Sequence, residues 1–480
     1  MPTPDALCIH AHFYQPPRAH PFTGEIPREL GAEPYHDYNE KITAECYRPN
    51  AELGNFDRIS FNFGPTLASW LEVHATDVYG AILDADRQHG NAVAQVYNHT
   101  ILPLATEGDK ATQIAWGISD FVHRYGRTPQ GMWLAETAVD LPTLSALAHA
   151  GIQYTVLAPW QAAGTDPHHT NTIDTTQPYW VDLPDGERIT VFFYDPNLSG
   201  TIHKPGFAQA DRVARDGLPM RIDNRWFGSR GGQLILGASD GEYYGHHLPG
   251  REHFLANLTA REAQAAGFRV TTLNEWIAQH PPTATIHIRE NTAWSCPHDL
   301  HRWTRDCDCA REPATPNATG HWKTGLRHAL NQLAERVDAL YVAATLGWLR
   351  DPWEARMALL PTYQGWQSWD AFFMEHGTSA LHDLPADERV TQLSRLRALL
   401  EGQFYRQMMF TSCGFFFEDL ERIEPVNDIR YAAKAIHLTE IGAPGLSSPR
   451  DAFAADLMTS RSERTNVTAA DIFWREIAAN

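Results

Sequence analysis

Two carboxylates carry the strongest chemical signal in this chain. Glu136 ends the stretch GMWLAE, and Asp240 follows the apolar run Leu234 to Ala238 in LILGASDGEYYG. Each reads as the close of a short buried strand. In parallel α/β folds the C-terminal strand ends carry the chemistry. A carboxylate on each of two strand ends matches glycosidic-bond cleavage, in which one acid protonates the departing oxygen and the other attacks or activates water. Each residue also has a structural alternative. Glu136 can interact with the dipole of the helix after it, and Asp240-Gly241 is a turn signal.

Further chemistry-bearing residues lie close by in type. His10 and His12 are spaced i and i+2 at the end of the first apolar run, so a strand would turn both the same way. They are candidate ligands, or donors to a substrate. Cys296, His298, His301, Cys307 and Cys309 crowd one short stretch, spaced C-x-H-x2-H-x5-C-x-C. Soft ligands so close together invite a zinc reading. The spacing is not that of a standard finger or ribbon, and with Trp294 and Trp303 beside it the stretch is expected to fold back near the site as a structural or substrate wall.

The elements that must position these groups alternate. Strand-like runs lie at Leu7–Ala11, Ile59–Phe63, Ala92–Tyr97, Met132–Ala135, Tyr154–Leu157, Thr190–Tyr194 and Leu234–Ala238. Helical stretches separate them, at Pro65–His89, Lys110–Tyr125 and Leu141–Ala150 among others. Alternation of this kind predicts a parallel sheet with right-handed crossovers, and the absence of a glycine-rich nucleotide fingerprint favours a barrel-like closure. YWVDL and ITVFFY, around Pro184–Gly186, read equally as a hairpin beside that barrel. The long connection from Phe13 to Asp57 is expected to carry structure of its own. From about residue 321 apolar residues keep helical spacing, as in Leu326, Leu330, Leu333 and Val337. The expected layout is a barrel over 1–285, a connecting segment over 286–320 and a helical bundle over 321–480.

Composition sets outer bounds. A formal charge of −19 argues against a nucleic-acid partner, which needs clustered Lys and Arg. No apolar run reaches the roughly 18 residues of a membrane helix, and MPTPDALCIH has no secretory signal pattern. Six cysteines in 480 residues are not a disulfide scaffold. A cytoplasmic location is the expectation.

Five stretches in order resemble the signature regions of glycoside hydrolase family 57, a retaining, α-glucan-active family: CIHAHFYQPPR, AVAQVYNHTILPL, GMWLAE, LGASDGEYYG and VTTLNEWI. The resemblance reaches to about Asp419 and is closest to a subgroup sharing NTAWSCPHDLHRWTRDCDC. It implies an α/β fold, a TIM-like (β/α)7 barrel followed by a mainly α-helical C-terminal region. It implies Glu136 as nucleophile and Asp240 as general acid/base, acting on an α-glucan or oligosaccharide with no cofactor and no metal. His10, His12 and Trp133 match pocket-lining residues. His99 and Glu242 fall in other signature regions and are expected near the substrate, as is Trp294. The second signature departs from the family, because many relatives carry an acidic residue where AVAQVYN runs here. Amylase, 4-α-glucanotransferase and branching activities all fit the motifs. Two rivals remain: a metal-dependent hydrolase of deacetylase or α-mannosidase type, recruiting His10, His12, His99 and Asp195, and a non-catalytic glucan-binding protein.

Overall fold

The computed structural model describes residues 4–163, 173–204, 209–222, 232–311 and 319–478. Nine strands are described: β1 (Ala6–Phe13), β2 (Ser60–Phe63), β3 (Ala94–Gln95), β4 (Met132–Trp133), β5 (Tyr154–Leu157), β6 (Tyr179–Asp182), β7 (Arg188–Phe193), β8 (Leu234–Asp240) and β9 (Arg269–Val270). β1 pairs in parallel with β2, β8 and β9, β3 with β4, and β5 with β7. Single parallel bridges at Phe61–Ala92 and Gly131–Tyr154 connect these groups. A backbone bond from Asp195 N to Leu236 O, 2.7 Å long, links the exit of β7 to β8. Each expected strand has its counterpart here. The open question of the hairpin resolves both ways: β6 is antiparallel to β7, while β7 itself lies parallel to β5.

Side-chain alternation explains how these strands place chemistry. Ala6 and Cys8 of β1, Leu234, Leu236 and Ala238 of β8, Tyr154 and Val156 of β5, and Trp133 of β4 share one buried apolar cluster. The period of two then carries the same face to the strand ends. On β1 it reaches His10 and His12, and on β8 it reaches Asp240. Parity therefore selects Asp240 directly. Gly241 follows because the chain must pass Phe13 closely; a Cβ at 241 would lie 2.2 Å from the Phe13 ring.

The chain divides into two compact units. The first comprises residues 1–17, 27–97 and 121–297, and the second 18–26, 98–120 and 298–480. A cut along the sequence does not anticipate that two short pieces of the first half group with the helical unit. In the first unit the long connection after β1 carries its own helical turns from Tyr38 to Glu52. The expected helix Pro65–His89 is two helices, Pro65–His74 and Thr76–His89, because Ala75 leaves helical geometry at φ −143° and ψ 59°.

The second unit is helical. α1 (Trp322–Thr345), α2 (Ala386–Met408), α3 (Ile423–Gly442) and α4 (Ala469–Ala478) are its longer described elements beyond residue 320. Leu326, Leu330, Leu333 and Val337 of α1 are all buried, as their spacing predicts. The aromatic stretches 366–373 and 410–417 belong to this unit, with Phe372, Phe373 and Phe415 buried. Phe415 stacks near Trp322, and the Arg327 guanidinium lies 4.0 Å from its ring centroid. Among the described residues no helix is long and apolar enough to cross a membrane.

Candidate active site

Glu136 sits where the chain leaves β4. Its backbone is left-handed, φ 57°, and Thr137 follows at φ 51°. Neither is glycine, so each costs about 1–3 kcal/mol and persists only if its surroundings over-determine it. The surroundings do so here. The Thr137 hydroxyl donates to Gln161 Oε1 at 2.9 Å, and Gln161 Nε2 donates to Thr137 O at 2.8 Å and to Thr292 O at 3.0 Å. Trp294 N donates to Glu136 O at 3.0 Å. Buried Gln161 thus ties the exits of β4 and β5 to the segment before Trp294. The left-handed pair breaks strand alternation, which is why parity alone cannot select Glu136.

The Glu136 carboxylate accepts two side-chain bonds at one oxygen. Trp294 Nε1 lies 2.9 Å from Oε2, and Ser295 Oγ lies 2.6 Å from it. Both of these donors come from the stretch that immediately precedes Cys296. His10 is fully buried, bonded to Asn62 Oδ1 at 3.1 Å and stacked on Trp133 at 4.7 Å. Burial holds its pKa down to about 4, so the ring is neutral at ordinary pH. His12 stacks on the same indole at 5.1 Å, and its Nδ1 lies 2.9 Å from Asn62 Nδ2. Asn62 also donates to Gln95 Oε1 at 2.6 Å. The histidines and Trp133 therefore form one buried stack.

Asp240 pairs with His12 in the β1–β8 register. Its carboxyl lines a cavity of about 310 Å³, with Trp160, Tyr194, His203, Tyr243, Trp294 and Ser295 among its walls. Burial pushes the Asp240 pKa well above the usual carboxylate range, and the charges of Glu136 and Glu242 push it further. A carboxyl so placed is biased toward its protonated form. Beside it stands a carboxylate with two donors. A proton-holding carboxyl and a hydrogen-bonded carboxylate are the two states that a general acid and a nucleophile require.

Glu242 does not line the cavity. It is buried, and its Oε1 accepts from Tyr47 OH at 2.7 Å, Tyr14 N at 3.2 Å and Gln15 Nε2 at 3.4 Å. Burial raises its pKa to about 7, against the lowering effect of those donors. Its charge acts on the Asp240 carboxyl. His99 belongs to the helical unit, where its Nδ1 lies 2.6 Å from Ser412 Oγ. Asp195 caps the helix Pro196–Ile202 through Leu198 N at 2.6 Å and pairs with Arg221 at 2.9 Å. Among the described residues, His10, His12 and Asp195 form no metal-ligand cluster.

Ser295, Gln161 and Asn62 escape a reading of sequence. Only Ser295 had a signal, its place next to Trp294 in the tryptophan-rich stretch.

Comparison with known proteins follows this geometry. The model of Glycosyl hydrolase family 57 matches residues 22–289, and a domain of unknown function, DUF3536, matches residues 319–480. Alpha-amylase 1 of Dictyoglomus thermophilum is 31% identical over 100 residues, which span 21% of this chain and 15% of that enzyme. Among solved structures, the exo-type maltose-forming amylase of Pyrococcus sp. ST04 superposes with a TM-score of 0.75 at 16% identity, covering 94% of this chain and 82% of that one. The branching enzyme of Pyrococcus horikoshii gives a TM-score of 0.58 at 14% identity, covering 98% and 97%. At these identities the likeness is one of fold.

Proposed function

The chain belongs to glycosyl hydrolase family 57, and on that premise we propose that it cleaves or transfers α-linked glucans with retention of anomeric configuration. Glu136 attacks the anomeric carbon while Asp240 delivers its proton to the departing glycosidic oxygen. The glycosyl–Glu136 ester then yields to water or to an acceptor sugar. Asp240, now a carboxylate, takes the proton of whichever arrives. We further read the parallel strands β1, β2, β3, β4, β5, β7 and β8 as one seven-stranded barrel, with the Asp195–Leu236 bond at its closure.

The observation that supports this reading is the contrast within the pair: burial and the charge of Glu136 push the pKa of cavity-lining Asp240 up, while the Glu136 carboxylate receives two donors. Aromatic walls from Trp160, Tyr194, Tyr243 and Trp294 suit the apolar faces of sugar rings. No metal enters these steps.

Maltooligosaccharides of defined length test the proposal. Shorter products alone mean hydrolysis, and longer products mean transfer; no change in any substrate overturns the reading. Glu136→Ala is expected to lose roughly a thousandfold or more in kcat. Azide should restore part of the turnover by forming the β-glycosyl azide. In a crystal structure, retention requires the two carboxyl groups about 5–5.5 Å apart.

A further inference from the structure

The cysteine-rich stretch has a use that the carboxylate chemistry does not absorb. Cys296, His298, Cys307 and Cys309 each offer one ligand atom, and all four atoms lie within 4.8 Å of one another. His301, on the same stretch, stands outside the cluster. Cys307 Sγ is 3.4 Å from His298 Nδ1 and 3.0 Å from Cys309 Sγ, and none of the three cysteines is in a disulfide. Zinc holds sulfur at about 2.3 Å and nitrogen at about 2.0–2.1 Å, which sets ligand atoms roughly 3.5–3.8 Å apart around a tetrahedron. The cluster is close to that size.

The backbone here is bent for a purpose. Asp299 and Leu300 are both left-handed, φ 50° and 59°, just before the turn His301–Trp303. Two such non-glycine residues in succession need a strong external constraint. A four-ligand ion closing the loop from His298 to Cys307 supplies one. The charge is also provided for. Three thiolates and a neutral imidazole around a divalent ion leave one net negative charge. Lys323 is fully buried within electrostatic reach of Cys307 and Cys309, and its Nζ donates to Arg302 O at 2.8 Å. Arg302 in turn donates to the carbonyl of Cys309. Cations so placed favour thiolates.

We propose that Cys296, His298, Cys307 and Cys309 bind one zinc ion in a closed, four-coordinate structural site. Three thiolates and one imidazole are an established donor set for such sites, and a closed site leaves no position for substrate. Binding releases the thiol protons to solvent. The consequence reaches the carboxylates through the chain. Trp294 and Ser295, the donors to Glu136, immediately precede Cys296. The ion anchors the segment on which both donors ride, and its ligands are positioning residues for Glu136. This last step rests on the proposed glucan chemistry; the metal site does not.

Elemental analysis of the purified full chain tests the site, with zinc-replete expression and reconstitution with zinc chloride under reducing conditions. About one zinc per chain is expected, and the Cys307→Ser/Cys309→Ser double variant should lose it. Cobalt(II) in place of zinc should give the visible bands of a tetrahedral ion with thiolate charge transfer in the parent and not in the variant. Unfolded without reductant but with a chelator, the parent should titrate all six thiols. A parent that takes up little zinc, a variant that holds as much as the parent, or a count of four thiols overturns the site. In the active enzyme His298→Ala should lower kcat more than it raises KM. A zinc-free variant with unchanged kcat overturns the link to Glu136 and leaves the metal analysis standing.

Discussion

Asp109 and Asp240 are aspartates in buried surroundings whose carboxyls are pushed in opposite directions. Asp109 sits in the helical unit. Burial alone would raise its pKa, but Arg406 and Arg356 overcome that and hold it below the usual range. Its oxygens take bonds from Arg406 at 2.7 Å, Gln407 at 2.6 Å and Arg356 at 3.1 Å. Arg406 is itself forked onto Asp338. Around Asp240 the burial comes with negative neighbours, Glu136 and Glu242. One carboxyl is neutralised by its partners, and the other by its own proton. The first arrangement can only hold structure together. In the proposed chemistry the second stores a proton for the departing oxygen.

The comparison breaks most sharply at Asp240. Asp240→Asn should cut turnover by about 10²–10⁴-fold, with the largest losses for substrates with poor leaving groups. It should also make the chain more stable. A raised native pKa favours folding at pH below the unfolded value near 3.9, and that contribution disappears as pH rises through the native pKa. The amide avoids the loss, so the variant's advantage in unfolding free energy, read from denaturant titrations, should grow from pH 4 toward neutrality, to about 1 kcal/mol. Equal stability of the two chains at pH 7 would mean Asp240 is not held protonated.

Arg406→Met attacks the opposite pole. It strips Asp109 and Asp338 of their shared partner and should destabilise the fold by about 3–5 kcal/mol in urea titration. Asp109 has a lowered pKa, so its contribution is present above pH 4 and fades as pH falls through the native value. The parent's advantage over this variant should shrink in acid. A neutral outcome at pH 7 would remove the contrast.

The smallest effect sharpens the picture. Glu242, with a pKa raised to about 7, is partly ionised at neutral pH and opposes the ionisation of Asp240. Glu242→Gln removes that charge and keeps the hydrogen-bond acceptor for Tyr47. The basic limb of kcat/KM should move toward acid, with less than about a tenfold loss at pH 7. An unmoved limb would confine Glu242 to holding the loop after β1.

What was legible in the sequence follows from periodicity. Apolar runs announced β4 and β8, and hence Glu136 and Asp240 at their ends. The i, i+2 spacing of His10 and His12 announced a shared face, and both do meet Trp133. Their task is not legible in that spacing, because a histidine at a strand end looks the same whether it faces substrate or stacks on an indole. Nothing periodic marks Ser295 or Gln161. Ser295 bonds Glu136 across 159 residues, and Arg406 bonds Asp109 across 297. Such pairs are decided by the tertiary fold, and single polar residues carry no local pattern that reports it.

The left-handed turn at Glu136 has an evolutionary consequence. Glutamate is ill suited to that backbone, whereas glycine, asparagine and aspartate accept it readily. Glu136→Gly should therefore unfold about 0.5–1 kcal/mol less easily than the parent chain, apart from the side-chain bonds it gives up. If Glu136 has the proposed role, drift at this position runs downhill toward an inert chain, and a lineage released from selection for sugar chemistry would be expected to lose this residue early.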